Sequence, residues 1–306
     1  MSETMTTREQ DGYPSWSLRE RYPPGVPCWI EALQPDVQEA LGFYGVLFGW
    51  EFAGPFPMAG GSAGEYFVAQ VAGHDVAAIG PAPKGQTAGG WFTHIRVDRV
   101  EAAVAAATEA GGRLLDGPLD DLPAGRFARL ADDTGAQFGV WEAHAREGAR
   151  LINHPQAWDM SSLRTSDVDG STAFYRSLFG WLAEPFGGPG SGVTLWRVPG
   201  YVGGQPHQPA PRDVVAVMTT LGGPSSAGRK HSHWSVDFYV DDANAMADGA
   251  ERLGGKVIVA PYDNPGFRSA VIADPGGATF SISQEIADSE VSEGARHAAD
   301  EKHNDA

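Results

Sequence analysis

The octapeptide FYGVLFGW at residues 43–50 returns as FYRSLFGW at 174–181. Each copy is preceded, seven residues before its first phenylalanine, by an aspartate: Asp36 and Asp167. Further along, EAGGRLLDGP (109–118) is echoed by RLGGKVIVAP (252–261), and ADDTGAQFGV (131–140) by ADPGGATFSI (273–282). Three blocks in the same order at nearly the same spacing make a duplicated unit of about 130 residues, and a duplication constrains the architecture before any single element is read. A chain of 306 residues has room for two domains of ordinary size.

The first unit opens with CWIEALQ (28–34), a short alternating run closed by Pro35-Asp36. Apolar residues then fall at Val37, Ala40, Leu41, Tyr44 and Leu47–Phe48, the spacing of one helix face, with Asp36 as N-cap and Gly49 as stop. WEF, EYFVAQVA and DVAAIG follow as strand-like runs punctuated by Gly and Pro. WFTHIRVD starts a second unit of the same kind, with VEAAVAAATEAGG as its helix and RLLDGP, GRFARLAD and AQFGVWEA as its strands. From residue 158 both halves repeat: WDMSSLRT, DGSTAFYRSLFG, VTLWRVPG and DVVAVMTT, then WSVDFYVD, ANAMADGAERLGG, KVIVAP, RSAVIAD and ATFSISQ. The expected fold is α+β: four βαβββ modules paired into two domains, residues 23–143 and 157–285, joined by a linker over 144–156. Residues 1–22 and the charged, alanine-rich 286–306 lack an apolar face and are expected to be disordered.

Composition narrows the function classes. Hydrophobic content of 42% with nine tryptophans can fill real cores, whereas a net charge of −17 repels phosphate backbones and argues against nucleic acid. No basic stretch followed by an apolar run opens the chain, and nothing approaches a membrane span. The single cysteine, Cys28, excludes an internal disulfide framework. The expectation is a cytoplasmic protein, monomer or homodimer, with a small-molecule ligand and no membrane or nucleic-acid partner. The Gly-rich stretches lack a strand–GxGxxG–helix context, so no dinucleotide site is expected.

The pattern Asp…FYxxLFGW, then VDxVxAAVxxAxxxGG, then D-x-x-G-A-x-F resembles the vicinal oxygen chelate (VOC) superfamily over about residues 27–285. That superfamily contains glyoxalase I, extradiol dioxygenases, fosfomycin-resistance enzymes and bleomycin-resistance binding proteins. The resemblance implies two tandem glyoxalase-like domains, with curved mixed sheets forming U-shaped grooves. In metal-using members the ligands sit on the first and last strands of each module. The resemblance carries those positions onto Trp29, Phe92 and Gly139 in the first domain and onto Met160, Ser235 and Ser281 in the second. A divalent cation needs three or four N, O or S donors converging on one point, and this set does not supply them. No metal and no cofactor are expected.

Strand alternation tests that register, because successive residues point to opposite faces. With Trp29 in the groove, Ile30, Ala32, Ile95, Val97, Phe138 and Val140 fall on the helix side, and all are apolar. The first groove then receives Trp29, Glu31, Phe92, His94, Arg96 and Trp141. The second receives Met160, Ser162, Arg164, His233, Ser235, Asp237, Tyr239, Ser281 and Ser283. Trp29, Phe92 and Trp141 would give flat apolar walls suited to a planar ligand, or would simply fill the groove as core. Glu31 and His94, taken as opposite one another, form either a proton-transfer pair or a structural hydrogen bond. His231 and His233 share a strand face, with Asp237 beyond, and either ligate a metal or mark a loop mouth. Arg96 and Arg164 either hold a ligand carboxylate or phenolate, or pair with Glu31 and Asp237. The functional expectation is metal-independent binding of a planar, aromatic small molecule, in antibiotic sequestration or secondary metabolism, with the more aromatic first groove preferred. The alternative is an enzyme of the same fold using Glu31/His94 or His233/Asp237 as acid–base groups, and behind it a metal-dependent lyase or dioxygenase.

Overall fold

Asp36 and Gly49 bracket the first helix. The Asp36 carboxylate accepts a hydrogen bond from the Glu39 amide at 3.0 Å, and Gly49 closes the helix at φ 69°, a left-handed conformation that glycine adopts at no steric cost. Asp167 and Gly180 do the same for the second copy, at 2.9 Å and φ 70°. In this computed structural model the described residues are 13–14, 16–61, 64–187, 191–203, 211–222, 229–264 and 266–286.

The first domain runs β1 (Pro27–Gln34), α1 (Val37–Phe48), β2 (Glu51–Pro57), β3 (Glu65–Val71), β4 (His74–Pro81), β5 (Gly90–Arg96), α2 (Val100–Glu109), β6 (Arg113–Asp121), β7 (Gly125–Ala131) and β8 (Gln137–Ala143). The second runs β9 (Trp158–Thr165), α3 (Val168–Phe179), β10 (Leu182–Phe186), β11 (Val193–Arg197), β12 (Val214–Thr220), β13 (His233–Tyr239), α4 (Ala243–Arg252), β14 (Lys256–Asn264), β15 (Phe267–Ala273) and β16 (Thr279–Glu285). Each domain is one eight-stranded mixed sheet. The orders are β2-β3-β4-β1-β5-β8-β7-β6 and β10-β11-β12-β9-β13-β16-β15-β14, so the four βαβββ modules pair through their first strands. The sequence reading lacked β10, an exposed strand with a proline in it.

The three repeated blocks meet crosswise between the domains. Phe43 and Phe48 of α1 reach the second sheet, with ring centroids 6.5 Å from Phe280 and 4.9 Å from Phe238 respectively. Phe174 of α3 reaches the first sheet at Phe138, 6.2 Å away. The glycine pairs make room for this: a Cβ on Gly112 would lie 2.9 Å from the Phe174 ring, and one on Gly255 2.9 Å from the Phe43 ring. The tyrosines complete the lock. Tyr44 donates to Asp274 at 2.8 Å and accepts from Trp91 at 2.9 Å; Tyr175 donates to Asp132 at 3.0 Å and accepts from Trp234 at 2.7 Å. A motif duplicated for each domain is therefore read by the other domain, and buried residues of both form one continuous core.

Residues 16–22, expected to be disordered, pack on the linker. Leu18 forms a β-bridge with Leu151, and the buried Tyr22 donates to the Ala149 carbonyl at 2.7 Å. The disorder expected of residues 1–12 and 287–306 lies outside the described residues. No helix among the described residues is long and apolar enough to cross a membrane.

Candidate ligand pocket

Strand β1 brings Trp29 and Glu31 to the first groove, and β5 brings His94. Trp29, rather than Glu31, stands directly opposite His94, and Glu31 stands opposite Phe92. Glu31 still reaches the imidazole diagonally: its Oε1 lies 3.0 Å from His94 Nε2. The same oxygen accepts from Arg129 of β7 at 2.8 Å, while Oε2 accepts from the Tyr66 hydroxyl of β3 at 2.9 Å. Trp29 Nε1 donates to that hydroxyl at 3.3 Å. Arg129 lies over two rings, 5.0 Å from the Phe127 centroid and 5.8 Å from that of Phe92, and its outer nitrogen reaches Asp116 at 3.2 Å.

Arg129 and Tyr66 were missing from the sequence reading. In GRFARLA, alternation places Arg129 on the face of Phe127, and the register sets it opposite Gly139. Gly139 is also what admits the histidine, since a Cβ there would lie 2.1 Å from His94 Nδ1. At the position where the resemblance would put a metal-binding glutamate, the space is filled by the His94 ring.

The electrostatics follow from this packing. Burial by itself would raise the Glu31 pKa, but the Arg129 guanidinium and His94 outweigh it and hold the carboxyl well below the usual carboxylate range. Beside an ionised carboxylate, Nε2 of His94 is the protonated nitrogen, and Nδ1, buried without a partner, packs on Gly139. Burial, reinforced by the Glu31 charge, pushes Tyr66 well above its ordinary value, so it remains a donor.

Around this network lies a narrow pocket whose interior leaves about 30 Å³ free, room for roughly two waters. Trp29, Tyr66, Phe127 and Trp141 form its aromatic walls, with Pro57, Met58 and Ala59 alongside. Asp121 and Arg146 complete the lining. Arg146, from the linker, lies 5.2 Å from the Trp29 ring centroid, and its carbonyl accepts from Trp141 Nε1 at 3.0 Å.

The other sequence candidates lie elsewhere. Phe92 lines a separate cleft between the domains. Arg96 donates to the Val97 carbonyl and is absent from the pocket wall, being two residues and roughly 7 Å further along β5 than His94. In the second groove the buried Arg164 donates to Thr219 at 2.8 Å, and burial pushes its pKa down. Asp237 accepts from Ser283 at 3.0 Å, its other oxygen has no partner, and burial, with Asp159 adding to it, pushes it up to about 8. Tyr239 faces Glu285 at 3.5 Å and is pushed by burial up to about 12. His233 turns Nδ1 to the His231 carbonyl at 2.8 Å. Four residues along one strand set His233 and Asp237 roughly 13 Å apart, too far for an acid–base pair.

The residues do not fit the metal that many members of such a family carry. Among the described residues no group of three or more His, Cys, Asp or Glu could hold an ion. The carboxylate–imidazole pair of this pocket already has a guanidinium 2.8 Å from its oxygen, where a divalent cation would meet a like charge.

Residues 29–140 match the glyoxalase/bleomycin resistance protein/dioxygenase superfamily, and residues 159–283 match the glyoxalase-like domain. Over 271 residues the chain is 35% identical to "Putative glyoxylase CFP32" of Mycobacterium bovis, spanning 86% of this chain and 96% of the relative. This chain belongs to the VOC superfamily. A second VOC relative, anthracycline biosynthesis protein DnrV of Streptomyces peucetius, is 33% identical over 273 residues, 86% of this chain and 94% of the relative. Two solved structures share the VOC fold. The Mn(II)-bound glyoxalase of Novosphingobium aromaticivorans superposes with a TM-score of 0.57 at 15% identity, covering 86% of this chain and 83% of the other. The 2,3-dioxygenase LapB of Pseudomonas sp. KL28 gives 0.57 at 13% identity, with 86% and 94% covered. VOC scaffolds host many chemistries, so what this member does rests on its own pocket.

Proposed function

We propose that the first groove binds a planar aromatic small molecule without a metal, sequestering it or serving its biosynthesis. The observation that carries this reading is the pocket itself: four aromatic walls around one hydrogen-bonded network of Glu31, His94, Arg129 and Tyr66. Offset stacking on such walls adds about 0.5–1.5 kcal/mol per ring pair beyond burial. The name of the DnrV relative supports it, since an anthracycline carries a fused, largely planar ring system. Binding is favoured over acid–base catalysis because Glu31 is held too acidic to serve as a base near neutrality, and His94 presents only a nitrogen already bonded to it.

Purified without added metal, the protein should contain well under one equivalent of Zn, Ni, Mn or Fe. A chelator should change neither its melting temperature nor its affinity for a hydroxyanthraquinone. A stoichiometric metal whose removal releases that ligand would overturn the reading.

A further inference from the structure

A second cavity opens between the domains, where β5 and β13 begin, with a free volume of about 440 Å³. It lies at matching positions of the two copies: Trp91 and Phe92 with Gln137 from one, Trp234 with Thr279 from the other. Junctions between domains are where small-molecule sites preferentially form.

The two rims differ in charge. Arg229, Lys230, His231 and His233 line the cleft from the second domain. Aligned on the Val-Asp pairs at 97–98 and 240–241, their counterparts are Gln86, Thr87, Ala88 and Gly90, none of them charged. Among the described residues no carboxylate lines the cleft, although the chain carries a formal charge of −17. Arg229, an exposed residue, donates to the Thr279 hydroxyl at 2.7 Å, and partial desolvation against the cleft pushes its guanidinium below its ordinary value. Burial, with Arg229 and Arg164 adding their repulsion, pushes His233 down to about 4. Cations concentrated in a concave, partly desolvated space without counter-charge raise the local concentration of anions and are stabilised when one enters.

We propose that this interdomain cleft is a separate site for a small molecule bearing two or more anionic groups, phosphates or carboxylates, gripped by Arg229 and Lys230 beside Thr279 and Gln137. Its volume exceeds what a single inorganic anion fills, and Trp91 and Phe92 offer an apolar wall to the rest of the ligand. The cleft and the first groove share no lining residue, although Phe92 of the cleft lies 5.8 Å, ring centroid to guanidinium, from Arg129 of the groove.

Calorimetric titration with inorganic pyrophosphate and, separately, with citrate tests this in the full chain at 0.15 M salt. There the Debye length of about 8 Å mutes the remote net charge and leaves the local cations dominant. At least one probe should bind saturably, and the one that binds better separates a phosphate from a carboxylate site. The double variant R229Q/K230Q should weaken binding at least tenfold, as should K230E, a reversal on an exposed lysine that leaves Arg229 in place. Trp29→Ala should leave it unchanged. Absence of saturable binding by either probe, wild-type affinity in K230E, or loss of binding in Trp29→Ala would each overturn the proposal.

Discussion

Replacing Arg129 by methionine should destabilise the protein by about 3–5 kcal/mol at neutral pH, the cost of leaving a buried charge without its partner. Glu31 and Arg129 have side chains only 5% and 11% exposed, so water cannot take over the lost ion pair. The pH dependence identifies the cause. In the wild type the folded-state pKa of Glu31 is depressed below its unfolded value of about 4.3, so the contribution of the pair is complete above about pH 5 and is lost as pH falls through the folded value. In the variant, burial is no longer opposed by Arg129, the carboxyl is lifted, and protonation relieves the buried charge. The stability deficit measured by urea denaturation should therefore shrink between pH 8 and pH 5. A deficit that is small, or the same at both ends, would show that Arg129 does not neutralise Glu31.

Asp274→Ala should cost about 3–6 kcal/mol, since it strips two or three buried donors of their acceptor at about 1–3 kcal/mol each. The donors are Tyr44 at 2.8 Å, Gln34 at 2.6 Å and the Ala278 amide at 2.8 Å, and the first two belong to the other domain. Asp132→Ala should act similarly through Tyr175 at 3.0 Å and the Ala136 amide at 2.8 Å. Because the bonds from Tyr44, Gln34 and Tyr175 cross the interface and the core is continuous, either change should lower the stability of both domains in one cooperative transition. Two separate transitions, with only the mutated domain weakened, would contradict the crosswise assembly.

What the sequence disclosed divides along physical lines. The caps at Asp36, Gly49, Asp167 and Gly180 were legible because capping depends on residues a few positions apart. The helix sides of β1, β5 and β8 were legible because the residues at alternate positions on that side are all apolar while the groove side mixes in Glu31, His94 and Arg96. The duplicated blocks were legible as duplicates, but not as partners. Repetition says that Tyr44 and Tyr175 are alike; it does not say that each serves the aspartate of the opposite domain. Arg129 and Tyr66 escaped because they lie on β7 and β3, strands to which the resemblance carries no ligand position, and alternation alone does not tell which face of such a strand meets a groove. Phe92 and Arg96 share a face with His94, yet a shared face does not mean a shared cavity: Phe92 opens onto the interdomain cleft, and Arg96 lies beyond the pocket. Leu18 and Tyr22 looked unstructured because their partners, Leu151 and Ala149, are far along the chain.

Aromatic ligand binding in the first groove is tested most directly by titrating 1,4-dihydroxyanthraquinone into the protein in the presence of chelator and following tryptophan fluorescence. Trp29 and Trp141 line the pocket, so the emission should quench and saturate. Trp29→Ala and Trp141→Ala should each weaken affinity at least tenfold, about 1.4 kcal/mol. Met160→Ala and Ser283→Ala, the corresponding changes in the second groove, should have little effect. Wild-type binding in both tryptophan variants, with binding abolished by the second-groove changes, would contradict the assignment.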